Sequence, residues 1–181
     1  MNRTDQICLM AKYNEWMNAK LYQAALTLPG AELSADRGAF FGSILGTLNH
    51  LVAGDTIWLK RFVTHPANYT ALDLIRNLPA PTGLDQQLFT DILNLEKHRK
   101  LLDQCITEWA QTVTENELDH VLQYVNSQGV AGARNFYGLV LHFFNHQTHH
   151  RGQVTTLLSQ AGVDVGVTDL LALMPNEASA Y

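Results

Sequence analysis

Four of the eight histidines in this chain fall within nine residues, in His142-Phe-Phe-Asn-His146-Gln-Thr-His149-His150, inside an apolar, helix-compatible run. On an α-helix, residues four apart stack on one face with Cβ atoms about 6 Å apart, so His146 and His150 can direct two imidazoles at one metal ion. With 100° per residue and His142 as zero, Leu139, Phe143, Val154 and Leu157 lie between about 60° and 120°, the predicted core-facing arc. His146 and His150 fall at about 40° and 80° on that wheel, whereas His142 and His149 sit near 0° and −20°, on the flank. The wheel therefore selects His146 and His150 as the ligand pair and leaves His149 to the rim. Gln153, near 20°, is placed to orient a ligand or a bound water, and Arg151, near 180°, is not part of the set.

Two imidazoles rarely complete a site, and helical bundles draw further ligands from facing helices. His50 is the third candidate, within Gly46-Thr-Leu-Asn-His-Leu-Val-Ala-Gly54, where small residues one turn away on either side leave room beside its ring. Three histidines leave coordination positions for water or substrate, as in catalytic rather than closed structural sites. Of the other histidines, His65 and His98 read as exposed, and His120 is assigned nothing. Asp55, one turn beyond His50, is expected to pair with Arg61 or another buried cation. Trp16, Trp58 and Trp109 are expected in the core or a pocket wall.

The elements that would carry these residues follow from the spacing of apolar positions. A first helix is predicted over about Thr4 to Leu28, ended by Pro29-Gly30. The second runs from Phe40 or Ser43 to about Val63, with Asn49, Thr56 and Lys60 marking its wetter face. Residues 64 to 84, with three prolines and a glycine, read as a long structured connection suited to a crossover. A third helix spans about Gln86 to Val113, solvated by Asp91, Glu96, Lys97, Arg99 and Lys100. A small hairpin is allowed at Val121 to Gly129. The fourth long helix begins near Arg134 or Asn135 and ends at Gln160-Ala161 with Gly162 just beyond it. A short helix near Asp169 to Leu173 precedes an end that frays after Pro175. The result is an all-α, four-helix bundle with long crossover connections, forming a single domain over residues 1–181.

Bulk properties narrow the function classes. The chain has 181 residues, 46% of them hydrophobic and 16% charged, and a net charge of −5 with no basic cluster, which disfavours nucleic-acid binding. Cys8 and Cys105, isolated from each other, read as reduced thiols. No signal peptide or spanning segment is evident, so a soluble cytoplasmic protein is expected, with no membrane partner.

Taken together, Asn14-Glu-Trp16, Phe40-Phe-Gly-Ser-Ile-Leu-Gly-Thr-Leu-Asn-His50 with Asp55 and Trp58-Leu-Lys-Arg61, and His146-Gln-Thr-His-His150-Arg-Gly-Gln153 resemble the DinB family, the DinB/YfiT-like metalloenzymes. The resemblance covers essentially the whole chain in order. It implies a DinB/YfiT-type four-helix bundle holding a divalent metal, nickel or zinc, through His50, His146 and His150, and a homodimer. Imidazole ligands also suit iron and copper. Enzymes of the wider superfamily use low-molecular-weight thiols, as S-transferases or as a thiol-dependent maleylpyruvate isomerase, and the small-molecule partner implied here is such a thiol. The leading expectation is an enzyme whose divalent ion lowers the pKa of a bound thiol or water, in S-transfer or hydrolysis. A non-catalytic metal-binding stress protein is the alternative, and a bundle with merely packed histidines the third reading.

Overall fold

The computed structural model describes residues 1–126 and 128–176. Six α-helices are joined by short 3₁₀ turns and one two-stranded sheet. The four long helices are α1 (Arg3–Ala25), α3 (Ile44–Phe62), α5 (Ile92–Thr112) and α6 (Phe136–Gln160), and the short ones are α2 (Gly30–Ser34) and α4 (Asp73–Asn77). This is the all-α, four-helix arrangement expected from the periodicity. No helix among the described residues is long and apolar enough to cross a membrane, and both cysteines are free.

Each long helix starts on a side-chain cap. Asn2 and Asp5 form a capping box on α1, and Ser43, Asp91 and Asn135 accept from the backbone N–H three residues on in α3, α5 and α6. The Asp91 cap explains why α5 begins at Ile92 rather than Gln86. The end of α6 is a Schellman motif: Val163 N–H donates to Leu158 O at 2.9 Å and Gly162 N–H to Ser159 O at 3.0 Å, with Gly162 at φ +81°. The 3₁₀ turn Leu170–Leu173 matches the expected short helix; the fraying end predicted after Pro175 lies, from residue 177, outside the described residues.

Helix α1 packs on α5 and α6, and α3 packs on the same two, so α1 and α3 occupy opposite corners of the bundle. The connections from α1 to α3 and from α5 to α6 therefore cross the bundle, whereas the long segment after α3, expected as a crossover, joins neighbouring helices. Trp109 stands at the centre, fully buried, stacked on Phe62 at 5.3 Å and edge-on to Phe136 at 6.3 Å. Burial of such aromatic groups dominates core energetics, at about 3–5 kcal/mol lost per truncation to alanine.

The allowed hairpin is real but longer than expected. Strand β1 (Val121–Val125) pairs antiparallel with β2 (Ala131–Asn135), Tyr124 opposite Gly132. Strand β2 reads Ala-Gly-Ala-Arg-Asn and carries no β-forming side chain; pairing with β1 imposes its conformation.

Several charged or polar positions assigned to solvent are buried instead. Asn49 and Thr56 are 1% and 3% exposed, and over Asn49 the connection after α4 folds back across α3. Asn49 fixes it there, donating from Nδ2 to Phe89 O at 3.0 Å and accepting from Phe89 N–H at 2.9 Å. Arg99, read as a solvating residue, is buried between Asp55 and Asp103. His65 is also buried, its ring 4.5 Å from Phe136 and 5.2 Å from Tyr69, and His98 is half-buried against Phe89.

Candidate metal centre

His50, His146 and His150 converge. Nε2 of His50 lies 3.2 Å from Nε2 of His146 and 3.0 Å from Nε2 of His150, and the cluster could hold a metal ion. The buried side chains of α6 include Val140, Gln147 and Arg151 as well as Leu139 and Phe143, which widens the core arc to about 60°–200° and moves its centre away from the histidines. His146 and His150 therefore sit at the edge of the core, half-buried, while His50 is buried.

The outer ring nitrogens decide what the inner ones present. Nδ1 of His50 lies 2.8 Å from the Leu84 carbonyl, which only accepts, so Nδ1 carries the proton and Nε2 offers a lone pair. Nδ1 of His150 donates to Gln153 Oε1 at 2.7 Å, with the same result. Two lone pairs thus face each other at 3.0 Å. Such an arrangement is repulsive without a cation between or beside them, and ligands about 2.0–2.1 Å from a tetrahedral centre sit at comparable mutual separations. The donor set fits a divalent metal. Nδ1 of His146 is buried without a partner.

Burial pushes the pKa of His50 down to about 4 and, with help from the neighbouring histidines, that of His146 down to about 3. Burial also lowers that of His150, against the hydrogen bond to Gln153. Neutral imidazoles are the metal-binding form.

Close packing fixes the three rings. Gly54 leaves space that His146 fills, since a Cβ there would lie 2.9 Å from His146 Cε1. Phe41 stacks on His50, ring centroids 3.8 Å apart and planes at 16°, and meets His150 edge-on at 5.6 Å. It is delivered by a tight turn in which Gly42, at φ +72°, donates its N–H to Ala39 O. A cavity of about 360 Å³ opens beside Phe41, lined also by Ser43, Asn49, Asp85 and Gln87.

The remaining residues singled out in the sequence divide clearly. His142 stands one turn from His146, with ring centroids 6.1 Å apart, and packs on Trp58 at 4.9 Å. His149 is exposed and receives a contact from Gln153 at 3.4 Å, at the rim. His120 packs on His65, far from this set in the fold, at 4.7 Å. Trp16, expected with Trp58 and Trp109 in the core or a pocket wall, lies on another side of α6 beside Tyr13, which donates to Thr168 O at 2.7 Å and packs on Arg151. Arg151 is buried and donates to Asn14 Oδ1.

Asp55 pairs with Arg99 rather than Arg61, at 2.5 Å, and Arg99 reaches Asp103 at 3.0 Å. Asp103 Oδ1 accepts from both Asn14 and Asn18 at 2.9 Å. Burial nonetheless pushes the Asp103 carboxyl up to about 6. This network braces all four long helices beneath the histidines and is structural. Sequence reasoning missed the Leu84 carbonyl and the Asn49 tether that holds it; an Asn set in an apolar run directly before His50 was the available signal.

Fold and site define a class: a four-helix bundle with three imidazoles, from two of its helices, arranged so that they could hold a metal ion. A family model described as the DinB family matches residues 1–178, and the chain belongs to that family. It is similar to Protein DinB of Bacillus subtilis (strain 168), with 26% identity over 159 residues, covering 87% of each chain. No solved structure matches it.

Proposed function

We infer that this protein is a divalent-metal-dependent enzyme that activates a small thiol, or water in a hydrolytic variant of the same chemistry, with His50, His146 and His150 as ligands. The observation that carries this reading is the facing pair of lone pairs on His50 and His150, joined by His146. His50, His146 and His150 would hold the ion, which would supply Lewis-acid activation of a thiol or water toward an electrophile.

The protein's own part is positional. Leu84 O and Gln153 hold two rings in the tautomer that presents Nε2. Phe41 covers one face of His50 and sheds water from it. A three-ligand set at the edge of the core, rather than a closed four-ligand set within it, favours exchange of a bound molecule and so favours catalysis over storage. Imidazole donors suit zinc, nickel, iron and copper alike, and the preference for nickel or zinc rests on the family resemblance. The thiol preference rests on the family resemblance, as does a homodimer.

Elemental mass spectrometry of untagged protein, wild type against His50→Ala and His146→Ala, tests the reading. Near-stoichiometric metal in the wild type, lost in both variants, is expected. A wild type that carries no metal and binds neither added zinc nor nickel overturns it.

A further inference from the structure

The stripe of α3 that begins at His50 continues through Gly54 and Ile57 to Arg61, at spacings of four, three and four, so all four share one face. Alongside it on α6 run His150, His146 and His142. Ile57, Arg61, His146 and His150 are half-buried and His142 is exposed, so solvent reaches the Arg61 end of the face and the α6 histidines, whereas His50 and Gly54 are buried.

Arg61 closes the far end of that stripe, and its surroundings are unusual for this molecule. Its guanidinium lies 4.4 Å from the ring centroid of Trp58 and 5.0 Å from that of Tyr124. Tyr124 is itself seated on its cross-strand partner Gly132, where a Cβ would come within 3.0 Å of the phenol ring. Trp58 is braced by His142 at 4.9 Å. Among the described residues, Arg3, Arg37, Arg76 and Arg99 each meet a carboxylate, Arg134 donates to a carbonyl, and Arg151 donates to Asn14 and Thr148. Among the described residues, the guanidinium of Arg61 meets neither an acid nor a hydrogen-bond acceptor.

Two aromatic faces satisfy the flat sides of a guanidinium but leave its edge of N–H donors without acceptors. Half-burying a charge in that state is unfavourable, and desolvation indeed lowers the pKa of Arg61. A planar carboxylate fits the vacant edge through a bidentate pair of charge-assisted bonds.

We propose that Arg61, clamped between Trp58 and Tyr124, binds the carboxylate of a small-molecule substrate whose reacting end lies at the three-histidine cluster. The inference deepens the metalloenzyme reading and rests on it for the position of the reacting end. Arg61 follows Gly54, which is level with His146, by seven residues, about 10 Å along the axis at 1.5 Å per residue. The substrate class is therefore an extended molecule with a carboxylate roughly two helical turns from its reactive group. Arg61 fixes which molecules bind and in which direction they lie.

The test compares 6-mercaptohexanoate with 6-mercaptohexanol on zinc-loaded protein, and hexanoate with hexanol on metal-free protein, by titration of the Trp58 indole N–H resonance. Wild type should bind each carboxylate at least tenfold more tightly than the matching alcohol. Arg61→Met and Arg61→Gln should abolish that advantage while leaving alcohol affinity and zinc content unchanged; two replacements guard against one that fails to fold. Equal affinities in the wild type, or an advantage that survives both substitutions, overturns the proposal. Zinc content separates the two readings. Protein that takes up no zinc but shows an Arg61-dependent preference for hexanoate loses the metal reading and keeps this one, whereas zinc uptake without a carboxylate preference does the reverse.

Discussion

Asp55 Oδ2 accepts a hydrogen bond from Gln147 Nε2 at 2.9 Å, and each residue directly follows one that touches across the same interface, Gly54 and His146. The pair sets the register of α3 against α6. A slip by one turn would break this bond and carry His50 away from His150, so the buried polar network and the histidine cluster are two readouts of one alignment.

Replacing Arg99 by Met should expose how much that network contributes. The substitution leaves Asp55 and Asp103 buried without their cation, a change worth about 3–5 kcal/mol of stability. Urea denaturation of the metal-free protein gives the number. A loss below about 1 kcal/mol would mean that the carboxylates are neutral or solvated in the fold and do not need the arginine.

Gly54→Ala separates stability from metal binding. Alanine is the better helix former by about 1 kcal/mol, and the atom it would strike is the tip of the His146 ring, which can rotate away. The metal-free variant should keep its thermal midpoint within a few degrees, while zinc affinity falls at least tenfold. Unchanged affinity in a competition titration would show that His146 is not held against this wall when it binds.

Gln153→Ala removes the acceptor on His150 Nδ1 without touching a ligand. Loss of an outer-sphere partner of this kind lowers metal affinity by about 10–100-fold. The same titration, compared with His150→Ala, checks it: a variant indistinguishable from wild type would assign the orientation of His150 to Phe41 alone.

The metal-free cluster should stay neutral in mildly acidic solution. With folded pKa values of about 4 for His50 and about 3 for His146, below the ordinary 6.5, these rings take up protons only well after an unfolded chain would. Their contribution to stability is complete above pH 6.5 and is lost as pH falls toward those folded values. Ring carbon–proton NMR spectra should show both still neutral at pH 5.5, and resonances titrating near 6.5 would place the rings in solvent.

The sequence made the three-histidine cluster legible because helical spacing is a strong constraint. His146 and His150 follow from a four-residue interval, and His50 from the small residues around it. Charge was a poorer guide. Arg99 was read as solvated because four other charged residues share its helix, yet it lies three and four residues before Leu102 and Asp103, on the inward side. The Leu84 carbonyl had no signature at all, since any residue type supplies one. Asn49 was misread as a mark of the wet face because the segment that covers it, residues 84 to 91, is irregular and its path is fixed only by tertiary contact. Strand β2 escaped for a related reason: its residues do not favour a strand, and β1 recruits them.

Ninety-six residues separate His50 from His146, whereas His146 and His150 share one helix. During synthesis His50 on α3 emerges before the two histidines of α6, and the three meet only when a long loop closes. An ion met by α6 alone would find two donors and leave readily, and would gain the third only once α3 docks. Three-donor selection of a metal would thus be a property of the folded bundle and not of α6 alone.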